Sequence, residues 1–120
     1  MNDQKDKKFD LEQRCKDFFA KVIKLCKKIP INAITKRQVE QLIGAAGSIG
    51  ANWFEASESE SKKDFVHKVK ISRKEAKESQ LWLYGLGESC DQLEDECHDL
   101  IAEAREFVYI FTSMINKIKS

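Results

Sequence analysis

Apolar residues recur three or four positions apart through four successive segments of the chain, the spacing that puts side chains on one face of an α-helix. The first segment, Asp10 to Lys28, carries Leu11, Cys15, Phe19, Val22, Cys26 and Ile29 on one stripe. It ends in Lys24, Lys27 and Lys28, cations that suit a helix C-terminus, and Pro30 stops it. After the connection IPINAI, Thr35 with Gln38 three residues on resembles a capping box and opens a second helix with the stripe Val39, Ile43, Ala46, Gly50 and Trp53. Ser61 with Asp64 starts a third, whose inner stripe is Phe65, Val69, Ser72, Ala76, Ser79 and Leu83. It runs to about Gly85 or Gly87, either of which suits a left-handed cap. Asp91 with Glu94 opens a fourth, with Leu93, Cys97, Leu100, Ile101, Ala104, Phe107, Val108, Phe111, Ile115 and Ile118 on its apolar side. Acids at its start (Glu94, Asp95, Glu96, Asp99) and Lys117 and Lys119 at its end complement the helix dipole. Short connections between long amphipathic helices predict an all-α, antiparallel up-down-up-down four-helix bundle.

The run GAAGSIGA inside the second segment is a poor helix by propensity, since each glycine costs about 1 kcal/mol relative to alanine. A phosphate-binding loop is the competing reading. It lacks both the Lys-Ser or Lys-Thr after the second glycine and a preceding strand, so the small residues are read as places where neighbouring helices approach closely.

Length fits one domain over residues 1–120, with a short charged tail at 1–8. One proline and five glycines leave few breaks in long helices, and turn signals at β-sheet frequency are missing. The N-terminal MNDQKDKKFD has no apolar run, Asn2 stands where myristoylation needs glycine, and no stretch approaches a membrane span, so a cytoplasmic protein with reduced thiols is expected. Cys90, Cys97 and His98 are the one candidate metal set. Their spacing matches no common zinc pattern and Cys97 falls among apolar positions, so no metal or cofactor is expected.

Charge is uneven. Lys and Arg outnumber Asp and Glu 18 to 12 over residues 1–87 and are outnumbered 3 to 8 over 88–120. At 100° per residue, Lys63, His67, Lys70, Lys74 and Lys77 share an arc of about 80° opposite the third helix's apolar stripe. A charged helix face is ordinarily just solvated. The sharper reading is a line that tracks phosphates, with Lys62, Arg73, Lys21, Lys24 and Lys28 beside it, giving backbone and shape recognition. On the second helix Gln41, Ser48, Asn52 and Glu55 lie opposite the apolar stripe, which suggests that both faces are covered, with Asn52 and Glu55 bonding to Lys68, Lys74 or Glu75. A satisfied polar network is favoured over catalysis, because no nucleophile and base share a supporting third group and neither His67 nor His98 sits in an acid–base arrangement. An enzyme is not expected.

The run Gln41 to Leu83, with the pieces SIGANWFEA, S-KKDF and K-ISRKEAKES-LWL, resembles the bacterial four-helix-bundle family named for proteins encoded in intervening sequences of 23S ribosomal RNA genes. The remainder is similar in helix lengths and order. The resemblance implies a ring-like homopentamer with a basic surface. It also implies kinship with the accessory protein of diversity-generating retroelements, which works with a reverse transcriptase and binds nucleic acid. Ser48, Asn52 and Glu55 match the family's polar positions on the second helix, and Lys68, Lys74, Glu75 and Glu78 those on the third. Gly44 departs from the family, many of whose members carry a basic residue there. The expected function is therefore a non-enzymatic oligomer whose Lys63, Lys70, Arg73, Lys74 and Lys77 contact a structured RNA or an RNA–DNA intermediate. The competing expectation is a structural or protein-interaction module, such as a reverse-transcriptase partner, with no nucleic-acid contact.

Overall fold

Every segment with a helical stripe is a helix in the computed structural model, which describes the backbone of residues 3–119 and the side chains of residues 10–118. The helices are α1 (Asp3–Lys27), α2 (Lys36–Ser57), α3 (Lys62–Ser89) and α4 (Glu94–Lys119), the last preceded by one 3-10 turn, Asp91–Leu93. α1 starts earlier than the expected Asp10 and takes in most of the stretch read as a tail.

Cross-helix pairs fix the topology. Gly47 and Gly50 of α2 lie against Phe19 and Cys15 of α1. Ser72 of α3 donates to the Ile49 carbonyl at 3.0 Å, and Gln38 near the start of α2 donates to Ser89 at the end of α3. Arg73 of α3 donates to Thr112 of α4, whereas Gly87 meets Cys97. Arg14 of α1 and Lys28 just past its end pair with Glu103 and Glu96 of α4. In each pair of neighbours one number rises as the other falls, so all four contacts are antiparallel. α3 packs closely along both α2 and α4, and α1 leans chiefly on α2.

The core is continuous from Leu25, Leu42 and Leu86 at one end to Trp53, Phe65 and Phe111 at the other. Phe18 meets Phe107 edge-on at 5.6 Å, Phe107 stacks on Phe111 at 6.0 Å, and Trp53 contacts Phe65 and Phe111 at 6.1 and 6.3 Å. The expected stripe on α1 holds at Leu11, Cys15, Val22, Cys26 and Ile29, all buried, and departs at one position. Phe18 is the buried ring, while Phe19 is partly buried over Gly47. On α2, Leu42 and Ile49 go deepest and Ile43 lies at the core's edge, because the stripe is wider than a single line of residues.

GAAGSIGA is helical throughout, and its glycines are used unequally. A Cβ at Gly47 or Gly50 would come within 3.3 Å of Phe19 or of the Cys15 Cβ, whereas Gly44 faces open space. Helix ends also depart from expectation. Ser61 caps α3 as expected, its hydroxyl accepting from the Asp64 amide at 3.1 Å. Thr35 does not form a capping box. Its buried hydroxyl donates to the Pro30 carbonyl at 2.5 Å and accepts from the Asn32 amide, while Gln38 turns to Ile34 and Ser89. α3 passes through Gly85 and Gly87 to Ser89 with no residue at positive φ, and both glycines sit against neighbours, Gly85 beside Gln38 and Gly87 beside Cys97. Neither glycine is a cap.

Replacing Gly44 by Ala is expected to raise unfolding free energy by about 0.5–1 kcal/mol, the helix-propensity gain with nothing to clash. Gly50→Leu is expected to lower it by about 1–3 kcal/mol or more, since the Cys15 Cβ is fixed to the α1 backbone. Urea denaturation of the two variants checks both signs.

Candidate functional site

α3 owes its exposed line to its place in the bundle. With Val69, Ser72, Ala76, Ser79 and Leu83 buried between α2 and α4, the residues about 180° around the helix must face water. Lys63, His67, Lys70, Lys74 and Lys77 are all exposed there. Residues 63–77 span about 21 Å of axis, with a basic side chain about every 5 Å.

Other expected members of that line lie elsewhere. Arg73 is half-buried and its Nη1 donates to Thr112 at 3.2 Å, so it ties α3 to α4. Lys21, Lys24 and Lys28 share a groove with Glu96, Asp99, Glu103 and Glu106 of α4, and Lys28 pairs with Glu96 at 2.6 Å. They belong to the α1–α4 seam, not to the α3 line. Arg14 strengthens that seam by gripping Glu103 through two nitrogens, at 2.7 and 3.2 Å, with its guanidinium 5.7 Å from the Phe107 ring centre. That hydrogen bond holds the Arg14 pKa above its ordinary value. Thus much of the acid that makes the C-terminal segment negative faces α1, on the side of α4 away from α3.

The polar positions matched to the family fall into three groups. Asn52 Nδ2 donates to the Ser48 carbonyl at 2.9 Å, within its own helix and not across to Lys74 or Glu75 as expected. Glu55 pairs with Lys68 at 3.6 Å, a loose and largely exposed contact. Glu75 has its carboxyl pKa raised, first by burial and then by the charge of Glu78. Gln41 is exposed. These groups flank the α2 side of the lysine line and contain no nucleophile aligned with a base.

Cys15, Cys26 and Cys97 are buried and Cys90 is half-buried, all as unbonded thiols. Burial pushes Cys15 up to about 12 and Cys26 and Cys97 up to about 11. Among the described residues no three His, Cys, Asp or Glu side chains gather as a metal site, and no helix is long and apolar enough to cross a membrane.

The spacing that generates the lysine line continues past Lys77 to Leu81 and Tyr84, which are 60% and 59% exposed and which sequence reasoning alone does not single out. The signal is present as two further steps of four and three residues with apolar side chains.

The family model described as 23S rRNA-intervening sequence protein matches residues 7–114. The chain belongs to the 23S rRNA-intervening sequence protein family. A solved structure from Bacteroides thetaiotaomicron VPI-5482, described as a protein with unknown function from the S23 ribosomal protein family, superposes with a TM-score of 0.75. It is 24% identical, and the match covers 87% of this chain and 96% of that one, so the two share the bundle fold. No curated protein matches.

In this 23S rRNA-intervening sequence protein the buried thiols give a direct check of the core. At about pH 8 a thiol-specific dye is expected to label Cys90 quickly and Cys15, Cys26 and Cys97 only at the rate of opening. Rapid labelling of all four without denaturant would contradict this packing.

Proposed function

We propose that this protein is a non-enzymatic, oligomeric bundle that binds structured RNA through the exposed cations of α3. The observation that carries the proposal is the unbroken line Lys63, His67, Lys70, Lys74 and Lys77, set apart from the acids of α4 that occupy the α1 groove. Lysines along such a strip neutralise phosphates along a strand and release counterions, which makes binding steeply salt-dependent and weakly sequence-specific. Kinship with a family named for 23S rRNA intervening sequences supports RNA as the partner. Self-association into a ring, a pentamer by family resemblance, is part of the same proposal.

A second reading, a protein-interaction module such as a reverse-transcriptase partner, is favoured by different residues. Ile31 and Ile34 in the α1–α2 connection and Tyr109 on α4 are 59%, 69% and 61% exposed, apolar surface of the kind that partners cover.

Converting Lys63, Lys70, Lys74 and Lys77 together to Gln is expected to abolish binding to a hairpin RNA, measured by fluorescence anisotropy between about 50 and 200 mM salt. Each single replacement is expected to lower the salt slope by about one, because one phosphate is left without its cation. Lys21→Gln with Lys24→Gln, in the α1–α4 groove, is expected to leave binding nearly unchanged. Unaltered binding by the fourfold variant would remove RNA from the proposal and leave the protein-interaction reading.

A further inference from the structure

We infer that the lysine line ends in a stacking platform for one unpaired nucleobase, formed by Tyr84 with Leu81 of α3 and Ile101 of α4. The inference rests on the RNA-binding reading above and narrows its ligand to a helical stem with an adjoining single-stranded segment.

Continuity of the surface is the first argument. Lys77, Leu81 and Tyr84 are successive steps on the same outward strip, so Tyr84 lies about 10 Å along the axis from Lys77. A strand whose phosphates follow Lys70, Lys74 and Lys77 therefore arrives at a flat, exposed aromatic ring where the cations stop. Tyr84 leans towards α4, and together with Leu81 it walls a shallow groove whose far side is Ile101.

Charge is the second argument. The side chains lining this groove include His98, Arg105 and Gln80 and no carboxylate. Glu94 meets His98 at 3.8 Å. Glu96, Asp99, Glu103 and Glu106, which would repel a phosphate chain, line the groove on the α1 side of α4. An aromatic face with hydrogen-bond donors at its rim and lysines at its approach suits an anionic chain carrying a planar base, because stacking tolerates any base while the backbone supplies the charge. An acidic peptide would satisfy the lysines and leave the ring without a planar partner.

The test compares a blunt hairpin RNA with the same hairpin carrying a short single-stranded tail that contains 2-aminopurine at its first unpaired position. The tailed RNA is expected to bind about tenfold more tightly and its fluorescence to be quenched. Tyr84→Ala is expected to erase both differences while leaving blunt-hairpin affinity and salt slope intact, and Tyr84→Phe to retain both. Equal affinity of the wild-type protein for the two RNAs would overturn the platform and spare the lysine line. Absence of binding to either RNA would overturn the line and the platform together. A change in assembly mass for Tyr84→Ala, measured by sedimentation, would overturn the platform by making Tyr84 a contact between protein chains.

Discussion

Tight packing of α3 between two neighbours is the constraint from which the remaining surface follows. Its inner face is built largely of small residues, Ser72, Ala76 and Ser79, with Val69 and Leu83 at intervals, and every one of them is buried. The two hydroxyls cost little to bury because each donates to a backbone carbonyl, Ser72 to Ile49 across the interface and Ser79 to Glu75 one turn back. Gly87 extends the close approach to α4, where a Cβ would sit 3.4 Å from that of Cys97. With both flanks occupied, α3 keeps only one narrow strip in water. Residues on that strip must form a line, whatever their chemistry.

Electrostatics then divides the molecule. α1 and the residue just past its end present Lys21, Lys24 and Lys28 to α4, and α4 answers with Glu96, Asp99, Glu103 and Glu106, so the seam where helix packing is sparsest is lined by opposite charges. Such exposed pairs contribute modestly, and the Arg14 grip on Glu103 is the best formed of them. The near-zero formal charge of the chain conceals this arrangement. Pairing within the α1–α4 seam leaves the α3 cations as a separate positive strip on the outer face of α3.

The helices and their order were legible because each apolar stripe holds its period for several turns. What stayed hidden depended on which helix faces which. Phe18 and Phe19 lie 100° apart, and only contact with Phe107 decides that Phe18 is the core ring. Gly85 and Gly87 have the composition of caps, yet neighbours from α2 and the start of α4 settle their role as packing positions. Thr35 has the right partner spacing for a cap, but Pro30 and Asn32 capture its hydroxyl first. The exposed lysine line followed directly from helical geometry. That the α1 lysines face acids, and that Arg73 turns to Thr112, required the tertiary pairing of helices and had no local signal.

The most direct test of a functional α3 strip is lysine footprinting by mass spectrometry, in which the protein is acetylated briefly alone and with a hairpin RNA at low salt. Protection concentrated at Lys63, Lys70, Lys74 and Lys77, with Lys21 and Lys24 modified equally in both states, is the predicted result. Protection confined to the α1 lysines, or none under conditions where RNA is bound, would contradict the account.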